Sequence, residues 1–212
     1  EFDRFVSFVE NPVKFFFEKQ LGVYFRDEDE RIEESENFTL NGLDHYRISN
    51  ELLHLEEAQF NDYFAKQRVK GIMPRGEFAE VCAQSIRADV LAFKEKIKDY
   101  SSPHSESVDF VVETAQGNIR LFGYMEPLFG DENQIIEWRF AKYKDRYRIR
   151  PWLYYLIQLA TKENALPPRI IAKDKDLTLK TIEKSTALEK LKMYVEAYLQ
   201  SQQQIQLIPT EN

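Results

Sequence analysis

The 212-residue sequence predicts a mixed α/β (α+β) fold, with a helical N-terminal part over residues 1–100 and an α/β core over residues 101–212. Apolar residues recur at the spacing of a helix through most of the first hundred positions. After residue 103, short runs rich in β-branched and aromatic residues follow, as is typical of strands. A helical pattern between the third and fourth runs completes a βαβ step, which favours a parallel pair of strands.

Four amphipathic helices are predicted in the N-terminal part, over about 2–9, 12–21, 44–68 and 77–98. Asn11-Pro12 has the form of an N-cap followed by a proline at the first helical position, and Gly22 is suited to end that helix. We expect the helix over 12–21 to pack on the sheet. The Gly71–Gly76 segment separates the last two helices.

The C-terminal part is predicted to follow a β-β-β-α-β-α order. The four strands are expected over 107–114, 118–125, 134–140 and 169–173, and the two helices over about 150–163 and 184–203. Gln116-Gly117 is suited to a tight turn, and residues 127–133 form a loop in this scheme. Pro167-Pro168 is predicted to end the first of the two helices, and the tail from Ile205 is expected to be extended.

The amino-acid composition excludes several classes of protein. The single cysteine, Cys82, excludes an internal disulfide framework and fits a reducing cytoplasm. No apolar run approaches the ~20 residues needed to cross a bilayer, so no membrane contact is expected. The net charge of −7 argues against a simple basic nucleic-acid-binding domain.

Charge is concentrated in two segments of opposite sign. Residues 27–36 carry seven acids and one base, and we predict a solvated loop there. Residues 139–150 carry six bases and one acid, a pattern suited to binding phosphates, with two tyrosines available to stack on bases. An ordinary charged surface is the alternative. The DNA-binding candidates are Lys142, Tyr143, Lys144, Arg146, Tyr147, Arg148 and Arg150.

A helix followed by β-β-β-α-β is the core layout of the restriction-endonuclease-like, or PD-(D/E)xK, nucleases. In these enzymes two adjacent carboxylates hold Mg²⁺ and a lysine helps to orient the attacking water. The corresponding positions here are Glu126 after the second strand, and Glu137 and Arg139 on the third. A guanidinium stays charged and cannot replace the lysine. We therefore predict degenerate positions, with no catalytic residue and no metal. Alternatively, Glu126 is a loop acid, and Glu137 and Arg139 form a solvent-facing pair.

Several motifs carry a resemblance to a known family. Arg4-Phe5, Asn11 to Phe17 (NPVKFFF) and Leu21-Gly22-Val23 resemble a helix of RecB- and AddB-type nuclease domains. Residues 38–46 (FTLNGLDHY) and 71–80 (GIMPRGEFAE), together with Trp138-Arg139 and Trp152-Leu153, are similar to the C-terminal region of RecC, the gamma subunit of bacterial exodeoxyribonuclease V. The resemblance spans nearly the whole chain.

The resemblance implies a noncatalytic domain that guides DNA and holds a helicase–nuclease together during double-strand break repair by recombination. Its implied partners are the RecB and RecD subunits and duplex or single-stranded DNA. It implies no cofactor in this domain, with ATP and Mg²⁺ used by other subunits. Active relatives often carry Gln-x-x-x-Tyr after the third strand, and Arg150 stands in the glutamine position here.

Two other functions stay open at this point. The first is an active Mg²⁺-dependent nuclease that uses Glu126 and Glu137. The second is a protein-interaction module that makes no contact with DNA.

Overall fold

The structure, a computed structural model, describes residues 2–19, 21–24, 40–100, 102–131 and 133–201. The predicted acidic loop over 27–36 and the predicted extended tail from residue 205 lie outside these residues. The α-helices are α1 (Phe2–Glu10), α2 (Pro12–Lys19), α3 (Gly42–Leu53), α4 (Phe60–Val69), α5 (Glu77–Ile97), α6 (Ile149–Thr161) and α7 (Lys184–Ser201). The strands are β1 (His104–Thr114), β2 (Gly117–Gly130), β3 (Gln134–Arg139), β4 (Leu166–Ala172) and β5 (Asp176–Thr178).

The five strands form one sheet in the order β1-β2-β3-β4-β5. Neighbouring strands are antiparallel except for β3 and β4, which are parallel and are joined by α6. This arrangement confirms the parallel pair expected from the βαβ step. Strand β2 makes a long hairpin with β1 and reaches β3 through Phe129 and Gly130 alone.

Two clusters of buried side chains lie on opposite faces of the sheet. Helices α1, α6 and α7 bury one cluster against β1 and β2, with Leu121, Met125 and Leu153 among its members. Helices α3, α4 and α5 bury the other against β3 and β4. The two clusters meet at β3, where successive side chains alternate between faces: Ile135 belongs to the first and Ile136 to the second.

The first helix connects the two predicted parts of the chain. Phe5 and Phe8 of α1 pack on the ring of Tyr198 in α7, and α1 also contacts α6 and β2. Phe15 of α2 adds its ring to those of Phe8 and Tyr198. The division at residue 100 stays a prediction, but α1 shares a core with residues from beyond it. Among the described helices, none is long and apolar enough to cross a membrane.

The prediction of one helix over about 44–68 is wrong. Helix α3 ends at Leu53, and a short 3-10 helix (Glu57–Gln59) precedes α4. The cause of this break is local, since polar residues start a new helix here. The side chain of Gln59 accepts a hydrogen bond of 2.9 Å from the backbone N–H of Glu56. The break allows Phe60 to become fully buried.

Strands β1, β2 and β4 differ from their predicted boundaries, and β1 starts at His104 instead of residue 107. Strand β2 continues to Gly130, through the segment predicted to be a loop, and it contains the cis peptide bond between Glu126 and Pro127. Strand β4 starts at Leu166 and includes the two prolines predicted to lie outside it. The register between β3 and β4 shifts at that point, and this irregularity accommodates residues that lack a backbone N–H. Strand β5 was not predicted at all.

Candidate functional site

Four charged side chains from three elements meet beside the end of β3. Glu10 is the last residue of α1, Glu137 and Arg139 lie on β3, and Arg150 is in the first turn of α6. We call these residues the ion cluster. Alternation along β3 directs Glu137 to the same face as Ile135, the face on which α1 and α6 pack. The packing of α1 against α6 therefore brings Glu10 close to charged residues that are far from it in the sequence.

Arg150 binds Glu10 through two parallel hydrogen bonds. Its Nε donates to Glu10 Oε1 at 2.7 Å, and one terminal nitrogen donates to Oε2 at 2.9 Å. Both side chains are 33% exposed. The hydrogen bonds to Glu10 are the main cause that raises the pKa of Arg150 above its ordinary value. This bidentate geometry is specific to a guanidinium and fixes the orientation of both groups.

Glu137 is largely buried, with 16% of its side chain exposed, so the alternative of a solvent-facing pair is wrong for this residue. Arg139 Nε donates a hydrogen bond of 2.8 Å to Glu137 Oε1. Burial raises the pKa of Glu137, while the positive charges of Arg139 and Arg150 act in the opposite direction. The negative charge of Glu10 also raises it. Glu137 is thus a largely buried carboxyl that is bound by Arg139 and also influenced by the charge of Arg150.

Glu126 does not join the ion cluster. It is exposed on β2 beside the cis peptide bond. Its backbone carbonyl oxygen accepts a long hydrogen bond of 3.4 Å from the hydroxyl of Tyr154. No hydrogen bond or ion pair joins the side chain of Glu126 to the ion cluster within the part of the chain that the structure describes. Within the described ranges, no three His, Cys, Asp or Glu side chains are grouped so that they could hold a metal ion.

The rest of the basic segment forms a surface of its own after β3. Residues 140–144 are a loop, and Asp145–Arg148 is a short 3-10 helix that leads into α6. Lys142, Lys144 and Arg146 are exposed, and Arg148 is half-buried. Arg150, also a DNA-binding candidate, differs from these residues because two of its donor groups are engaged by Glu10.

The turn between β4 and β5 adds a further cation. Lys175 is exposed, and its Nζ lies 4.2 Å from the centroid of the Tyr143 ring. The neighbouring Asp174 accepts a hydrogen bond of 2.7 Å from the backbone N–H of Tyr143. We call Lys142, Lys144, Arg146, Arg148 and Lys175 the basic surface.

Sequence reasoning missed two residues of these sites. Glu10 falls just after the helix predicted over about 2–9, and Lys175 lies 25 positions after the basic segment. The acid at the end of α1 directly precedes the Asn11-Pro12 cap, but nothing in that position points to Arg150. Only the fold brings these residues to their partners.

Comparisons with known proteins agree on one family. The family model described as the RecC C-terminal domain matches residues 1–212. The RecBCD enzyme subunit RecC of Haemophilus influenzae is 59% identical over 99% of this chain, which corresponds to 19% of that relative. The subunits of the same name from Escherichia coli and from a Buchnera aphidicola subspecies are 25% and 27% identical over 89% and 72% of the chain. The chain spans about a fifth of the length of the first of these relatives, and 16% and 14% of the other two.

Proposed function

The chain belongs to the family of RecC C-terminal domains, and we propose that it is a noncatalytic domain that guides DNA and supports assembly of a RecBCD-type helicase–nuclease. The relatives are named as subunits of the RecBCD enzyme, which supports a role inside a larger complex. We propose RecB and RecD as the partner subunits, double-strand break repair by recombination as the process, and the cytoplasm as its location.

The pairing of guanidinium groups with carboxylates in the ion cluster carries the noncatalytic part of this proposal. Glu137 stands at a position where a nuclease of the PD-(D/E)xK class would hold Mg²⁺, and Glu10 lies close to it. Each of these acids is instead bound to an arginine, at 2.8 Å and 2.7 Å. A guanidinium supplies positive charge but has no lone pair with which to ligate a metal, and it does not lose its proton.

A magnesium ion does not fit these residues. Mg²⁺ requires near-octahedral coordination by oxygen atoms, usually with one or two carboxylates and several waters. Both oxygens of Glu10 accept hydrogen bonds from Arg150, and Oε1 of Glu137 accepts one from Arg139. The side chain of Glu126 is exposed on β2, and within the described ranges it forms no ion pair with these residues. We therefore derive no hydrolytic step at this site.

The topology supports descent from a nuclease scaffold. An antiparallel β1-β2-β3 meander is followed by α6 and a parallel β4. The same order is expected of the helix-β-β-β-α-β layout of PD-(D/E)xK enzymes, and α1 packs against β2 and α6. On this basis we propose that the domain keeps a nuclease core whose charged site has been converted into internal ion pairs.

The DNA-guiding part rests on the basic surface. Lys142, Lys144 and Arg148 make no ion pair within the part of the chain that the structure describes, so their charges are available to phosphates. Binding of phosphates by lysine and arginine releases counterions and makes affinity depend strongly on salt. We propose that this surface contacts the DNA backbone as the complex moves along it.

The test replaces Lys142, Lys144 and Arg148 by alanine in the full-length chain, assembled into its complex. The matched control replaces Lys66, Lys70 and Lys192, which are exposed on α4, at its end and on α7, and removes the same charge. We expect weaker DNA binding in the first variant, with the slope of log affinity against log salt reduced by about 0.9 for each phosphate that is no longer neutralised. An unchanged slope would contradict the DNA-guiding role.

A second measurement addresses the noncatalytic role. The full-length chain, incubated alone with DNA and Mg²⁺ or Mn²⁺, is expected to leave the DNA intact. Robust cutting that disappears in the Glu137→Ala variant would overturn the proposal and establish an active nuclease.

A further inference from the structure

We infer that the basic surface binds the sugar–phosphate backbone of DNA irrespective of the bases. The two tyrosines of the same segment, Tyr143 and Tyr147, position cations instead of stacking on bases. This inference rests on the proposed DNA-guiding function and specifies the ligand of that surface. It differs from the expectation raised by the sequence, in which tyrosines between basic residues suggested stacking.

The ring of Tyr147 is already engaged by cations. The guanidinium carbons of Arg139 and Arg146 both lie over this ring, each 5.6 Å from its centroid. A cation in this position is attracted by the negative face of the aromatic ring. A nucleic-acid base would also need access to a face of this ring in order to stack. Tyr147 is therefore suited to hold the two arginines in place.

Tyr143 is fixed from several sides. The ammonium group of Lys175 lies over its ring at 4.2 Å, and its hydroxyl donates a hydrogen bond of 3.2 Å to Asp145. Its backbone N–H donates to Asp174. The side chain contacts a cation and a carboxylate, and the backbone of the same residue is bound to Asp174. Tyr143 therefore has little freedom to turn toward a base. The ring serves as a support for Lys175.

These contacts join two chain segments into one platform. The backbone N–H of Lys173 donates to the carbonyl oxygen of Ala141 at 3.0 Å, and that of Ala172 donates to Lys175 at 2.7 Å. The loop after β3 and the turn after β4 are thereby held together. Cations on a fixed platform lose less conformational entropy when a phosphate binds. Phosphate contacts position a protein on DNA but carry no information about sequence.

A preference for duplex DNA follows from charge density. Double-stranded DNA carries one negative charge per roughly 1.7 Å of its axis and releases more counterions for each neutralised phosphate than a single strand does. Without stacking, the surface gains nothing from exposed bases. Its contribution to binding should therefore be larger for a duplex than for a single strand of equal length.

The experiment compares three ligands of equal length: a duplex, single-stranded oligo(dT), and a single strand with the same backbone and abasic sites. Affinities are measured for the wild-type complex, for the Lys142→Ala, Lys144→Ala, Arg148→Ala variant, and for a Tyr143→Leu, Tyr147→Leu variant. We expect the triple variant to lose affinity for oligo(dT) and for the abasic strand by the same factor, within about twofold, and to lose more for the duplex. The tyrosine variant should lose less, again equally for the two single strands.

Base stacking would give a different result. Each stacked base is worth roughly tenfold or more in affinity, so the tyrosine variant would then lose oligo(dT) binding selectively while its affinity for the abasic strand stayed constant. That result, combined with weaker binding by the triple variant, overturns this inference and leaves the proposed function standing. A triple variant that binds all three ligands like wild type overturns both.

Discussion

Arg139 and Arg150 each hold a carboxylate that would otherwise be a buried or half-buried negative charge. Arg139 binds Glu137 and Arg150 binds Glu10, so the charges within each pair neutralise each other beside the end of β3. Removing one member of such a pair leaves its partner without compensation, which usually costs more than the pair itself contributes. Single substitutions and paired substitutions in the ion cluster should therefore differ in their effect on the stability of the chain.

The first prediction concerns Arg150 and Glu10. We expect Arg150→Gln to destabilise the chain by about 1–2 kcal/mol, a value reduced from that of a fully buried pair because both side chains are a third exposed. The double variant Glu10→Gln, Arg150→Gln should be destabilised by less than the sum of the two single variants. Urea unfolding of the four proteins measures the difference as a double-mutant cycle. Strictly additive effects would show that the two side chains are not coupled.

The second prediction concerns pH. Burial raises the pKa of Glu137 in the folded chain, so the folded state binds this proton more tightly than the unfolded state does. The stability that this group contributes is fully present below its ordinary pKa, near pH 4, and is lost as pH rises through the raised value. We therefore expect Glu137→Gln to become progressively more stable relative to wild type as pH increases through this window. Unfolding curves at a series of pH values provide the measurement, and a trend of the opposite sign would contradict the expected shift.

Among the elements, α1 makes a tight contact with β2 of the sheet. A Cβ atom added to Gly123 of β2 would lie 2.6 Å from the Cβ of Phe2, which is below any normal contact distance. The first turn of α1 therefore lies directly on a strand position without a side chain. This contact also explains why α1 shares its core with α6 and α7 although about ninety residues separate it from β1.

The third prediction tests this contact. Gly123→Ala should destabilise the chain by about 1–3 kcal/mol, because α1 must move away from β2 to make room for the methyl group. Gly42→Ala is the matched control, since nothing lies within 4 Å of a Cβ at that position in α3. Thermal or urea unfolding should show lower stability for the first variant and little change for the second. Equal effects would mean that α1 is not held at this point.

On the scale of the whole molecule, the two buried clusters depend on one strand. Strand β3 contributes Ile135 to the cluster under α1, α6 and α7 and Ile136 to the cluster under α3, α4 and α5. Both isoleucines are nearly fully buried, at 4% and 1% exposure. Disruption of β3 therefore removes support from both faces of the sheet, and we expect the described parts of the chain to unfold together.

The fourth prediction follows from this shared strand. Ile135→Ala and Ile136→Ala should each cost about 2–4 kcal/mol through reduced burial and the cavity left behind. Both variants should shift the same single unfolding transition, followed by fluorescence and by circular dichroism. Two separate transitions, each sensitive to one of the variants, would show that the faces unfold independently.

The amino-acid sequence by itself determined the type and order of most elements. Periodic apolar residues located α1, α5, α6 and α7 because a helix must present one apolar face to a core. Runs of β-branched residues located β1, β3 and most of β2 for the corresponding reason in a sheet. The motifs over 38–46 and 71–80, with Trp138-Arg139 and Trp152-Leu153, led to the same family that the comparisons found. Each of these features depends on residues that are close together in the sequence, so a short sequence pattern is enough to predict it.

The tertiary structure decided which charges meet. The inclusion of Pro167 and Pro168 in β4 depends on pairing with β3, which lies on the other side of α6 in the sequence. The pairing of Glu10 with Arg150, 140 positions away, and that of Lys175 with Tyr143 also join residues distant in sequence. The physical reason is that a side chain's partner is set by the path of the backbone around β3 and α6, and a one-dimensional pattern does not contain that path.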